Sequence, residues 1–196
     1  ATMGALASDN DLRQLDKLSA GENPDWRKSC RPFGNNCGFT LAESSQYFVL
    51  MDDELAMTCG AEILAAVGDV FINADGYKKS ISAPGVGNYL TVARAAALGR
   101  AIAGENVLRN GSFVQAHGTG TPQNRTTESS ILSDVASTFG INQWPVTAVK
   151  SYVGHSLGAA AGDQIMSTLG VWRYGWLPGI KTVDELADDV QSRALN

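Results

Sequence analysis

The only histidines of this sequence lie in two short segments that are rich in glycine and hydroxyl side chains. His117 belongs to VQAHGTGTPQNRTTES, and His155 belongs to VKSYVGHSLGAAAGD. Two neutral imidazoles that face one carbonyl oxygen can each donate an N–H to it, which stabilises the negative charge that develops when a carboxylate is lost or a thioester enolate forms. We therefore interpret the two histidines as an oxyanion-binding pair.

The residues that follow His117 are suited to a ligand site. Gly118 and Gly120 would let a ligand approach the main chain closely, whereas Thr119 and Thr121 offer hydroxyl groups for hydrogen bonds. An isolated histidine in a loop is commonly a polar residue with satisfied hydrogen bonds and no catalytic role. Two histidines in matching local contexts favour the functional interpretation.

Segments that favour strands and helices alternate along the chain, which predicts an α/β layered sheet. The predicted strands are residues 47–51, 61–73 and 113–116 and the segment PVTAVKS. The predicted helices are residues 8–18 with Asp9 as a cap, 88–103, TESSILSDVASTFG with Thr126 or Thr127 near its cap, and GAAAGDQIMSTLGVWRYG. The last helix is apolar over much of its surface, so we expect it to be buried.

Each histidine is predicted to lie just past the C-terminal end of a short apolar strand. This edge of an open α/β sheet is where ligands bind. Lys150, at the end of the predicted strand PVTAVKS, could supply a fixed positive charge to the same pocket.

Composition limits the classes of protein to which this chain can belong. With 196 residues and 44% hydrophobic content, it can form one domain with a substantial core. A net charge of -5 with scattered basic residues does not favour nucleic acid as a partner, and no apolar run reaches the length of a membrane span. Three cysteines without a CxxC pair and an N-terminus without signal-peptide features predict a soluble protein of the cytoplasm, and no metal site is predicted.

The histidine segments AHGTGTP and VKSYVGHSLGAAAG resemble the two histidine motifs of the β-ketoacyl synthases, the thiolase-fold condensing enzymes of fatty acid and polyketide assembly. Upstream, CRPFGNNCGFTLAES resembles the RPF…GF…GEG segment of that family. The resemblance implies an α/β thiolase-like half-fold, a mixed sheet with helices on both faces, within a larger αβαβα ketosynthase. Residues 1–196 would form the C-terminal-half domain, with an irregular lead-in over 1–45 and the sheet, helices and both histidine motifs in 46–196.

The resemblance implies decarboxylative Claisen condensation, in which a malonyl-carrier thioester loses carbon dioxide and attacks an acyl thioester. Substrates would arrive on the phosphopantetheine of acyl carrier protein, with no tightly bound cofactor, and the complete enzyme would be a dimer that includes an N-terminal ketosynthase half. Carried over by motif, the implied site residues are the catalytic His117, His155 and Lys150, Glu128 as a supporting partner of Lys150, and Thr119 and Thr121 along the phosphopantetheine arm.

The nucleophile of the family has no counterpart here, because the reactive cysteine lies upstream of the RPF segment. Cys30, Cys37 and Cys59 are therefore not predicted to be catalytic, and the isolated chain is expected to be inactive in condensation. The family's final GFGG loop and strands also have no match in WLPGIKTVDELADDVQSRALN.

Smaller departures from the family pattern occur close to the first histidine motif. Where the family has GDPxE, this chain has QNRTTE, with Asn124 in place of the glycine and Arg125 in place of the acidic residue. The GEG glycines are replaced by Ala42 and Ser44. A change in the carrier entrance, a subfamily contact and neutral variation all remain open as explanations.

Two alternatives to a segment of one synthase chain also remain open. A separate N-terminal polypeptide could supply the cysteine, so that the site assembles across an interface. A non-enzymatic alternative is a ketosynthase-like module of the chain-length-factor type, which binds acyl carrier protein or a synthase partner.

Overall fold

The computed structural model describes residues 9–23, 25, 29–35, 38–76 and 85–196. Within this part of the chain, short parallel strands are surrounded by helices. The helices are α1 (Asp9–Ser19), α2 (Asp53–Thr58), α3 (Val86–Ala103), α4 (Glu105–Gly111), α5 (Pro122–Thr138), α6 (Lys150–Val153) and α7 (Ala160–Tyr174), with a 3₁₀ turn at Leu157–Ala159. The strands are β1 (Val114–Gln115) and β2 (Val146–Thr147).

Strands β1 and β2 pair in parallel, with Val114 opposite Val146 and Gln115 opposite Thr147. The end of the chain continues the pairing on the other side of β2, where Val146 N–H donates to the carbonyl oxygen of Asn196 at 2.8 Å. The carboxyl ends of β1 and β2 therefore lie at one edge, and the segments that follow them are brought together there.

Two apolar clusters support this edge. The larger cluster packs α3 and α4 against α5 and consists of Ala96, Leu108, Leu132, Val135, Ala136, Ile141, Trp144 and Ala194. The smaller cluster contains Phe33, Ala116 and Ala148, which are all buried. Because Ala116 directly precedes His117 and Ala148 lies close to Lys150 in the chain, the smaller cluster forms the floor beneath the candidate site.

The predicted helices are found with small changes in their limits. Helix α5 begins at Pro122 and is capped by Thr121, whose hydroxyl accepts the N–H of Asn124 at 3.2 Å. The predicted cap at Thr126 or Thr127 is therefore wrong. Proline suits the first turn of a helix because it has no N–H to satisfy and its φ is already near the helical value, so α5 starts earlier than its apolar pattern suggests.

The strands predicted over residues 47–51 and 61–73 do not form in this structure. Their side chains are largely exposed, with Tyr47 at 95% and Ile72 at 87% of full accessibility. A strand needs hydrogen bonds from a neighbouring strand, and no described segment pairs with either run. Both runs therefore have the apolar pattern of a strand, but no neighbouring strand among the described residues pairs with them.

Helix α7 is also more exposed than predicted. Among its large apolar side chains, Ile165, Met166 and Trp172 are each about half exposed, at 48%, 51% and 57%. A helix that is apolar on all sides needs cover on all sides, and the described residues cover only part of it. No helix of the described residues is long and apolar enough to span a membrane.

Candidate active site

The turn after β1 presents His117 at the carboxyl edge of the strand pair. Gly118 follows with a φ of 50°, a left-handed conformation that favours glycine. A Cβ atom at Gly118 would lie 2.7 Å from the Cβ atom of Ala148 and 3.2 Å from that of Pro32. The absence of a side chain here lets the turn sit directly on the apolar floor.

His155 reaches the same place by a different route from the one predicted. It follows α6 and Gly154 instead of the end of a strand, because the β2 pairing ends at Thr147. Its main chain is fixed by the lead-in segment: His155 N–H donates to the carbonyl oxygen of Thr40 at 2.7 Å, and Ala42 N–H donates to the carbonyl oxygen of His155 at 3.1 Å.

The two imidazole rings are neighbours. Their centroids are 5.4 Å apart, and the rings meet edge to face at 87°. Phe39 packs on His155 with a centroid distance of 4.9 Å. The 5.4 Å between the two imidazole centroids is short enough for one oxygen atom to accept an N–H from each ring at a normal distance of about 2.9 Å.

The tautomer of His155 is set by its own loop. Leu157 N–H donates to Nδ1 of His155 at 3.1 Å, so the proton of the neutral ring lies on Nε2. Leu157 adopts a φ of 55°, which is uncommon for a residue with a branched side chain. The strained turn thus directs the N–H of Leu157 at Nδ1 and leaves Nε2–H as the donor of the ring.

Lys150 is almost completely buried, at 1% exposure, and acts on His117 through the main chain. Its Nζ atom donates to the carbonyl oxygen of His117 at 2.6 Å. One detail of the prediction is corrected, since Lys150 opens α6 instead of ending a strand. The Glu128 carboxylate acts on Lys150 through its charge, not through a hydrogen bond. Desolvation lowers the pKa of Lys150, and the negative charge of Glu128 opposes this effect.

Glu128 holds the same turn from helix α5. Its Oε1 accepts the N–H of His117 at 2.6 Å, and its Oε2 accepts the N–H of Gly118 at 2.8 Å. The side-chain amide of Asn124, one helical turn earlier, donates to Oε2 at 2.8 Å. Glu128 and Lys150 therefore bind the N–H and carbonyl groups of one residue, His117.

Both imidazoles are neutral near pH 7. The pKa of His117 falls from 6.5 to about 4, through desolvation first and the positive charge of Lys150 second, although the residue is exposed on its cleft side. The pKa of His155 also falls from 6.5 to about 4, through desolvation, then Lys150, then His117, while Asp163 acts in the opposite direction. Neutral rings are what a pair of N–H donors to a developing oxyanion requires.

The histidines line an open cleft of about 560 Å³ between α3 and α5. Thr119 and Thr121 lie on its wall, with their hydroxyl oxygens 3.1 Å apart. Lys150 is behind the wall, consistent with its burial. The sequence prediction missed several residues that line the cleft. Among these, only Asn124 could have been found from the sequence, because it lies one helical turn before Glu128. The others are Phe39, Asn88, Thr91, Val92, Gln123, Thr127, Ile131 and Leu132.

No described cysteine lines the cleft. Cys30 is buried and Cys59 is exposed at the end of α2, while Cys37 lies outside the described residues. In the part of the chain that the structure describes, no three histidine, cysteine or acidic side chains are grouped so as to hold a metal ion.

Comparison with known proteins places these features in a family. Residues 64–184 match the family described as beta-ketoacyl synthase, C-terminal domain. The chain is 61% identical over 196 residues to beta-ketoacyl-[acyl-carrier-protein] synthase FabY of Pseudomonas aeruginosa, covering 100% of this chain and 30% of that protein. It is 31% identical over 155 residues to 3-oxoacyl-[acyl-carrier-protein] synthase 2 of Vibrio cholerae, covering 78% of this chain and 36% of that protein.

Solved structures agree with these sequence matches. The ketosynthase FabY from P. aeruginosa superimposes with a TM-score of 0.87 at 62% identity, over 99% of this chain and 30% of that one. The ishigamide ketosynthase/chain length factor gives a TM-score of 0.66 at 30% identity, over 95% of this chain and 44% of that one. These matches confirm the predicted thiolase-like α/β half-fold, and the chain spans about a third of the length of the relatives that it matches.

Proposed function

The chain belongs to the β-ketoacyl synthase family, and we propose that it supplies the decarboxylation site for a β-ketoacyl synthase reaction. The substrate class is a malonyl thioester carried on the phosphopantetheine arm of acyl carrier protein, in fatty acid or polyketide biosynthesis. The observation that carries the proposal is the pair of imidazoles, 5.4 Å apart, each with its pKa lowered to about 4.

In the proposed reaction, the thioester oxygen accepts an N–H from His117 and the Nε2–H of His155. The bond between the malonyl α-carbon and its carboxylate breaks, carbon dioxide leaves, and the electron pair enters the thioester enolate. The two donors stabilise the charge on oxygen as it develops, at positions that the fold has fixed in advance. Lys150 and Glu128 hold the His117 main chain, and Thr119 and Thr121, which line the cleft, would contact the pantetheine arm.

Condensation then needs an acyl group on a cysteine thiolate, which the enolate attacks with release of that thiolate. We propose that the cysteine comes from an N-terminal ketosynthase half, in the same polypeptide or in a separate one. Many large apolar side chains are exposed in the described part of the chain, which supports this proposal because exposed apolar surface commonly marks an interface. They include Tyr47, Val49, Leu50, Ile63, Leu64, Val67, Val70, Ile72, Ile165, Met166 and Trp172.

The test is carbon dioxide release from malonyl-pantetheine by the protein purified at its native length, alone and with acyl carrier protein. We expect decarboxylation that is lost in His117→Ala, and condensation only when a cysteine-bearing ketosynthase half is present. Decarboxylation that is unaffected by His117→Ala would overturn the proposed role of the pair.

A second candidate is a non-catalytic module that binds acyl carrier protein or a synthase partner. It is favoured by one observation, that no described cysteine lines the cleft. This candidate would be supported over the enzymatic one if the protein binds phosphopantetheinylated carrier but releases no carbon dioxide. The result should be the same when a cysteine-bearing half is present.

A further inference from the structure

The first turn of α5 carries a forked ion pair, three residues before Glu128. Arg125 donates from Nε to Oδ1 of Asp189 at 2.6 Å and from Nη2 to Oδ2 at 3.0 Å. A further bond runs from Nη1 of Arg125 to the carbonyl oxygen of Gly34 at 3.2 Å. Arg125 is only 9% exposed, so its guanidinium joins α5 to two other segments inside the fold.

The segment that carries Asp189 is attached to α5 and to the floor of the site. Gln191 N–H donates to the hydroxyl of Ser129 at 3.0 Å, and the hydroxyl of Ser133 donates to the carbonyl oxygen of Gln191 at 2.6 Å. On the other side, Ala187 N–H donates to the carbonyl oxygen of Phe33 at 2.9 Å. Arg125 therefore binds at the junction of α5, residues 33–34 and residues 187–191.

Both sides of this junction contact the candidate site. Phe33 packs with Ala116 and Ala148 in the floor beneath His117 and Lys150. On α5, Glu128 accepts the N–H groups of His117 and Gly118. A shift of α5 relative to the floor would move the Glu128 carboxylate away from the turn that carries His117.

We propose that Arg125 is a positioning residue for the histidine pair. Its ion pair with Asp189 and its bond to Gly34 set the position of α5 on the floor, and Glu128 transfers that position to His117. This inference rests on the proposed function for its kinetic consequence. It also gives a structural reason for the departure from the family pattern, because the acidic residue of GDPxE at this position would repel Asp189.

Asp189→Asn is the main test variant, because it keeps the shape of the side chain and removes its charge. The matched control is Glu105→Gln, which neutralises the acid of the Arg109–Glu105 ion pair on α4, away from the cleft. The measured quantities are kcat and KM for malonyl-pantetheine decarboxylation, the melting temperature, and the NMR signal of the His117 ring. Since the Asp189 side chain is 44% exposed, we expect a moderate effect, a fall in kcat of about threefold to tenfold with KM unchanged.

The double variant Arg125→Met with Asp189→Asn should be no slower than Arg125→Met alone, because both residues act through one contact. Arg125→Lys should recover part of the kcat lost in Arg125→Met, since it keeps the charge without the fork. If Arg125→Met does not fold, Asp189→Asn and Arg125→Lys still decide the question.

A lower melting temperature in Asp189→Asn, with unchanged kcat and an unmoved His117 signal, would show a purely structural ion pair and overturn the inference. If the unmodified protein releases no carbon dioxide, the proposed function fails instead. Even without measurable activity, the NMR signal of the His117 ring tests the positioning role. If the inference is right, this signal shifts in Asp189→Asn and does not shift in Glu105→Gln.

Discussion

The Nζ atom of Lys150 donates to the main-chain oxygen of His117 at 2.6 Å, from a position that is almost completely buried. The lysine therefore has two effects on the histidines. It fixes the turn that carries His117, and its positive charge adds to desolvation, the larger cause, in lowering the pKa of both His117 and His155. The pKa values of the two imidazoles report the second effect, because they depend on the charge of the lysine.

Lys150→Met should raise the pKa of both histidines above about 4 but leave it below 6.5, because desolvation, the larger cause of the lowered pKa, remains and only the positive charge of the lysine is removed. NMR titration of the two imidazoles measures this directly. Lys181→Met, at an exposed position, is the matched control and should leave both values unchanged. Unchanged histidine titration in a folded Lys150→Met variant would show that the charge of the lysine has no such effect.

The stability of the protein should fall as pH decreases from about 6.5 to about 4. In this window the unfolded histidines, with an ordinary pKa of 6.5, bind protons that the folded ones with pKa about 4 do not. The contribution of the two neutral histidines to the free energy of unfolding is complete above pH 6.5 and is lost as the pH falls from about 6.5 to about 4. Chemical denaturation at a series of pH values measures it, and His155→Asn should reduce the slope over the same range.

His155→Asn should abolish most of the decarboxylation while keeping the local fold. The Asn side-chain oxygen can replace Nδ1 as the acceptor of the Leu157 N–H, but the Nε2–H donor is lost. Loss of one donor to an oxyanion typically lowers kcat by about 10²-fold to 10³-fold. Carbon dioxide release from malonyl-pantetheine checks this, with Asn106→Ala on the exposed face of α4 as the control. A variant with full activity would exclude His155 as an oxyanion donor.

Gly118→Ala should destabilise the fold by about 1–3 kcal/mol, because the new Cβ would overlap with Ala148 and the residue would keep a left-handed φ of 50°. Gly170→Ala is the matched control. Its Cβ would meet nothing within 4 Å inside α7, and alanine in a helix interior should stabilise by roughly 0.5–1 kcal/mol. Thermal unfolding of both variants measures the contrast, and equal stability of the two would contradict the packing described here.

Local patterns were sufficient for part of the fold. Helix α3 and strand β1 were predicted close to their observed limits, because their spacing of apolar and small residues is a property of the segment itself. The runs at residues 47–51 and 61–73 have an equally strong apolar pattern and form no strand here. A strand depends on a hydrogen-bonded neighbour from a distant part of the chain or from another chain, so the apolar pattern of one segment is insufficient to predict it.

The sequence by itself determined the family: two histidines, a lysine, a glutamate and two threonines lie in motifs that resemble those of one family, and membership of that family is confirmed for this chain. Only the tertiary structure decided how these groups act on one another. It showed that Lys150 binds a main-chain oxygen, that Leu157 selects the tautomer of His155, and that Arg125 binds Asp189. Such contacts depend on angles and distances between segments far apart in the chain, and these follow from how the helices and strands pack together and not from the order of residues within each segment.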